Sequence, residues 1–182
     1  TVYIEGYLWT GDETRKAALK MADAARQAGV PVAFTLSDAF VVNTYKESLI
    51  DFIRWKVDIL FCNNVEARTM TGEVKDEQAF AELKSMVDTL FMTRGAQGSW
   101  VANSQHAKIH IDPFQVKAVD TTGAGDLYAA GSLYGLIHNH GLKESAILGS
   151  YCAAQVVTHL GGRMPANSNT HIPTILDLYP GA

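Results

Sequence analysis

Val119-Asp120-Thr121-Thr122-Gly123-Ala124-Gly125-Asp126-Leu127-Tyr128 leads into a long apolar run, and its small residues fall where a helix begins. Two glycines around an alanine leave a turn bare of side chains ahead of a helix expected over 123–139. Backbone amides at such a start lack acceptors, and the aligned peptide dipoles add positive potential, so the spot suits an anion. Asp126 falls in the first turn, so its carboxylate would face whatever those amides hold. A phosphate beside a carboxylate that can orient an alcohol is a phosphoryl-transfer arrangement. The plain alternative is a small-residue turn required for close packing, with Asp126 merely favouring the dipole.

Upstream of this stretch, short β-like runs alternate with helical ones. Strands are expected over 2–4, 31–36, 57–61 and 89–93. Helices are expected over 12–28, 43–55, 64–70 and 76–87. The first carries apolar Ala17, Ala18, Met21, Ala24, Ala25 and Ala28 and stops at Gly29; the second takes Asn43 or Thr44 as its cap, with Glu47 completing a capping box for Thr44. Alternation of this kind argues for a mostly parallel sheet covered by helices. After Thr93 the texture changes to a hairpin, 98–102 and 108–111, and then to two apolar helices, 123–139 and 143–159.

Two further segments lie at strand ends, where ligands gather in parallel sheets. Thr93-Arg94-Gly95-Ala96-Gln97-Gly98 follows an apolar strand; Gly95 and Gly98 let the backbone pass close to a ligand, and Thr93 offers a hydroxyl. A tight turn into the hairpin explains the same residues. Asn63-Asn64-Val65-Glu66 follows the strand ending at Cys62, and Glu66 could hold hydrated Mg²⁺. A helix N-cap by Asn63 or Asn64 with an acid in the first turn fits that spacing equally well. No Gly-Lys-Ser/Thr P-loop and no Gly-x-Gly-x-x-Gly fingerprint is present.

Composition narrows the classes. The chain has 182 residues, 47% hydrophobic and 19% charged, with net charge −4. Its few cations form no cluster for nucleic acid, and its apolar runs are too short to span a membrane. Cys62 and Cys152, far apart in apolar surroundings, read as buried free thiols, so the cytoplasm is the expected compartment. His106 and His110 share a strand face but have no third ligand nearby, which favours solvated hairpin residues over a metal site.

Asn-x-x-Glu, then Thr-x-Gly-x-x-Gly, then Asp-Thr-x-Gly-Ala-Gly-Asp, in this order along nearly the whole chain, resembles the PfkB (ribokinase-like) family of carbohydrate and nucleoside kinases. Phe34-Thr-Leu-Ser-Asp and Tyr45-Lys-Glu-Ser-Leu look like its adenosine kinase branch. The resemblance implies a three-layer ribokinase-like α/β fold with a mostly parallel sheet flanked by helices, truncated at the N-terminus. Residues 1–182 would be the C-terminal ATP-binding and catalytic portion, since the chain starts inside a strand and lacks the family's Gly-Gly substrate motif and lid. It implies Asp126 as the group that takes the acceptor's hydroxyl proton and Gly123, Ala124 and Gly125 as the anion hole. Thr93, Gly95 and Gly98 would lie along ATP, Ser150 and Ala154 would border the adenine, and Asn63 with Glu66 would tune Mg²⁺. Asp120, with Gly161 and Gly162, resembles a K⁺ site.

The implied reaction is transfer of the γ-phosphate of ATP to a hydroxymethyl group of an adenosine-like nucleoside or a sugar. A ribokinase- or fructokinase-type enzyme is one alternative, and a non-catalytic nucleotide-binding fragment or pseudokinase is another. Family members pair as homodimers mostly through the lid, so a homodimer of this chain would use other surfaces.

Overall fold

A computed structural model describes residues 1–164 and 172–179. Its strands are β1 (Val2–Glu5), β2 (Val32–Thr35), β3 (Ile59–Asn63), β4 (Thr89–Thr93), β5 (Ser99–Ala102) and β6 (Ile109–Ile111), which follow chain order in one six-stranded sheet. The helices among the described residues are α1 (Asp12–Gln27), α2 (Ala39–Lys56), α3 (Asn64–Thr71), α4 (Asp76–Lys84), α5 (Ala124–Ile137), α6 (Leu142–Val156) and α7 (Ile172–Asp177). The sheet is mixed and mostly parallel, flanked by helices, as the alternation predicts. None of the described helices is long and apolar enough to cross a membrane. The chain forms two compact units, Thr1–Met92 with Ala102–Gln105, and Thr93–Val101 with His106–Ala182.

In the first unit β1, β2 and β3 pair in parallel, with Val2 opposite Val32 and Ala33 opposite Ile59. Trp9, Phe34 and Phe52 meet edge to face at 4.7–5.4 Å between ring centroids, the favoured geometry for aromatic quadrupoles, and Phe61 stacks on Phe91 at 4.9 Å. Trp9 comes from a 3-10 turn, Gly6–Thr10, that periodicity does not announce. In α1 the buried stripe is Ala18, Ala22 and Ala25, while Ala17, Met21, Ala24 and Ala28 are exposed. Two alanine stripes run along that helix, and composition alone does not say which one is covered.

The largest difference from the sequence expectation concerns α2. It begins at Ala39, not Asn43, because the Asp38 carboxylate accepts from the Phe40 amide and caps it four residues earlier. Thr44 instead donates its hydroxyl to the Phe40 carbonyl, inside the helix. Backbone angles at Tyr45 (φ −121°, ψ 19°) break the helix there, so Asn43 and Thr44 mark a kink rather than a start. Helix α4 likewise stops at Lys84, three residues short of expectation, where Ser85 and Met86 close a turn.

The second unit is built on β5 and β6, antiparallel with Trp100 opposite His110, and on the pair α5 and α6. These two helices approach backbone to backbone. A Cβ at Gly149 would stand 2.5 Å from the Tyr128 carbonyl oxygen, and one at Gly131 would stand 2.7 Å from that of Leu148. Gly135 meets Ser145 in the same way. Further along, Leu148, Tyr151 and Ile175 join α6 to α7, with Phe114 packed against them.

Gly149→Ala should therefore destabilise the protein by about 1–3 kcal/mol, read as a lower denaturant midpoint, although alanine favours a helix interior by about 1 kcal/mol. The methyl has no room, so the sign opposes propensity.

Candidate functional site

The sequence-selected residues divide between the two units. Asn63 and Glu66 belong to the first; Thr93, Gly95, Gly98, Asp120, Gly123, Ala124, Gly125, Asp126, Ser150 and Ala154 belong to the second.

Helix α5 starts as its sequence requires. Gly123 is its cap and takes left-handed angles (φ 78°, ψ 0°), and a Cβ there would lie 2.8 Å from the Cα of Gly162. Only glycine meets both conditions at once. The Ala124 amide turns back to the Thr121 carbonyl at 3.2 Å and is spent. The amides of Gly125 and Asp126 have no protein acceptor among the described residues. Of the amides expected to form an anion hole, that of Ala124 is thus engaged, whereas that of the neighbouring Asp126 is open among the described residues. The Asp126 side chain is exposed, and no hydrogen bond or ion pair engages its carboxylate among the described residues.

Asp120 holds the approach to this helix in place. One of its oxygens accepts from the Thr122 amide at 2.9 Å and the Thr122 hydroxyl at 2.7 Å. The other accepts from the Gly161 amide at 2.9 Å, across 41 residues. The Gly161 bond and then the Thr122 bonds hold its pKa down to about 2, so the group is anionic at any physiological pH. The same loop is tied to the end of α6 by the Val119 amide on the Val157 carbonyl, at 2.7 Å.

The 93–98 segment is a 3-10 turn, Gly95–Gln97, closed by the Arg94 amide on the Gly98 carbonyl at 2.8 Å. Its glycines differ in kind. A Cβ at Gly98 would stand 2.0 Å from the Ile111 carbonyl oxygen, so packing against β6 accounts for it. Gly95 faces open space. The Arg94 guanidinium and the Lys108 ammonium each lie 3.9 Å from the Trp100 ring centroid, which fixes the turn on the hairpin. Ser150 and Ala154 are both buried, one turn apart on α6.

In the first unit, Asn63 caps α3 and Glu66 completes a capping box. The Asn63 side-chain oxygen accepts from the Glu66 amide at 2.8 Å. The Glu66 carboxylate accepts from the Asn63 amide at 2.9 Å and from its side-chain nitrogen at 2.7 Å. Glu66 is only 6% exposed. Burial pushes its pKa up to about 7; hydrogen bonding from Asn63 opposes this, and the Asp38 charge adds to it. The structural explanation for this motif therefore holds. Asp38, passed over by sequence reasoning, enters as the cap of α2 and as an electrostatic neighbour of Glu66. Neither Cys62 nor Cys152 forms a disulfide among the described residues; Cys62 is buried and Cys152 half-buried.

Residues 1–169 match the family model described as pfkB family carbohydrate kinase. A ribokinase from Haemophilus influenzae is 32% identical over 148 residues, covering 78% of this chain and 46% of that protein. Among solved structures, an adenosine kinase from Sinorhizobium meliloti superposes with a TM-score of 0.88 at 33% identity, covering 96% of this chain and 53% of the other. A probable sugar kinase from Rhizobium etli gives the same TM-score, 0.88, at 31% identity, covering 96% and 52%. The chain spans about half the length of the curated relatives it matches.

The Glu66 carboxyl should titrate near pH 7 in the folded protein, seen in its carboxyl ¹³C shift, against about 4.3 when unfolded. Folding takes up a proton between those values, so this group costs stability as pH rises from about 4.3 through 7. The loss should be on the order of 2 kcal/mol, complete above pH 7, and read in denaturant titrations at pH 5 and 8.

Proposed function

The chain belongs to the pfkB family of carbohydrate kinases, and from that premise we propose that it carries the ATP side and the catalytic aspartate of a sugar or nucleoside kinase. The observation that carries this reading is the exposed carboxylate of Asp126, unengaged among the described residues, beside the amides of Gly125 and Asp126, which have no acceptor among them, behind a glycine that nothing larger could replace.

In this reading the acceptor's hydroxyl oxygen attacks the γ-phosphorus of ATP. The bond from phosphorus to the β-phosphate oxygen breaks, ADP leaves with that electron pair, and the hydroxyl proton passes to Asp126. Phosphoryl transfer runs through a loose transition state, so the proton leaves late and Asp126 chiefly orients the alcohol. The amides at the start of α5 stabilise charge on the transferring group. The 93–98 turn, with Thr93 and the open face at Gly95, lies along the nucleotide, and Ser150 and Ala154 border its base.

The cations fit less simply. Glu66 is buried, and both its oxygens already accept from Asn63, so a direct Mg²⁺ bond does not fit it; only a role through intervening water remains. Asp120 is a permanent anion, which suits K⁺, yet its oxygens are committed to Thr122 and Gly161. No step is routed through either ion.

The acceptor is a hydroxymethyl group of an adenosine-like nucleoside or of a sugar. Relatives named adenosine kinase and ribokinase support both. A non-catalytic nucleotide-binding role is the second reading, and the free Asp126 carboxylate weighs against it.

In the full-length protein, Asp126→Asn should lower kcat by about 10²–10⁴ while leaving the KM for ATP nearly unchanged. Near-normal turnover would overturn the assignment. ADP release measured with adenosine, inosine, ribose and fructose should single out one acceptor class, and no release with any of the four would favour the non-catalytic role.

A further inference from the structure

The candidate phosphate-handling residues of the second unit come from two places far apart in sequence, the 93–98 turn and the start of α5. One buried bond joins them. Ser99 directly follows Gly98 at the head of β5 and is 1% exposed. Tyr128 lies two residues after Asp126 and is 3% exposed. Their hydroxyl oxygens are 2.7 Å apart. Burial pushes the Tyr128 phenol well above its ordinary pKa, so it stays neutral and the bond persists at all working pH values.

We infer that Tyr128 is a positioning residue: its hydrogen bond to Ser99 sets the first turn of α5, and with it Asp126, in register with the 93–98 turn. This rests on the proposed role of Asp126. Three constraints converge on residues 120–128. Asp120 pins the approach to α5, Gly123 fixes the turn itself, and Gly149 presses on the Tyr128 carbonyl oxygen. These three restrain the backbone of α5 and the loop before it. None of them refers that helix to the strand that carries the 93–98 turn, and the Tyr128–Ser99 bond supplies that reference. Tyr128→Phe also leaves the buried Ser99 hydroxyl without this bond, which is costly in a site closed to water.

Small misplacements of a catalytic group cost up to about 10²-fold in rate, so loss of this bond should be read in turnover. The test is a double-mutant cycle on the full-length kinase, Tyr128→Phe and Ser99→Ala, with ATP and the best of the four acceptors, and with kcat expressed per folded molecule. Each single variant should lose about tenfold in kcat with the KM for ATP changed less than about twofold, and the double variant should be no slower than either single. Unchanged kcat with a lowered melting temperature would make the bond merely structural, and losses that multiply would show the two hydroxyls acting separately; either result overturns the inference. If one variant does not fold, the other single alone decides between lowered and unchanged kcat. Asp126→Asn run alongside separates the two levels. A collapse there with a normal Tyr128→Phe sinks only the positioning role, whereas an active Asp126→Asn removes the premise as well.

Discussion

At Gly123 the chain passes closer to the Gly162 backbone than a side chain on residue 123 would allow, and the start of α5 depends on that contact. A left-handed residue with no Cβ lets the chain turn from the Asp120 loop straight into a helix. The turn leaves the amides of Gly125 and Asp126 without acceptors among the described residues and puts Asp126 on the surface. Asp120 then holds the two approaching strands of chain together through Thr122 and Gly161. A substitution at Gly123 would change the geometry of the whole helix start, because no neighbouring group could give way: the obstacle is backbone.

The acidic residues are sorted by environment. Asp120 sits among donors and is held at about 2, a fixed anion that serves as a clamp. Glu66 is buried and held at about 7, so a proton shares its place in the cap of α3. Asp126 is exposed and uncommitted. Of the three, it is the one whose oxygens are open to an incoming hydroxyl, which is why the phosphotransfer reading centres on it.

Close packing of small residues recurs through the second unit. Gly131, Gly135 and Gly149 bring α5 and α6 together at backbone distance, and Tyr128 reaches out of that pair to Ser99. A helix packed so tightly has little freedom to shift, which suits one that displays a reacting group at its end.

Much of this was legible in the sequence. The strand–helix alternation, the helix start at Gly123, the Asn63–Glu66 cap and the hairpin after Gly98 are set by local rules of turn and cap chemistry, which depend on neighbours a few residues away. Other features were decided by contacts between distant segments. Helix α2 is capped by Asp38, starts at Ala39 and kinks at Tyr45 although Asn43 and Thr44 offered an equally good local cap. The exposed stripe of α1 was as apolar as the buried one. Gly98 reads locally as a ligand-side glycine, but the Ile111 carbonyl oxygen lies where its side chain would stand. Asp120 acquires its low pKa from Gly161, and Tyr128 its partner from Ser99, across 41 and 29 residues. The sequence by itself determined which residues could begin a helix, cap it or carry a charge, because those are properties of a residue and its near neighbours. Which carboxylate stayed free, and which glycine was required by space, was left to the tertiary structure, because both depend on what the fold brings to within 3 Å.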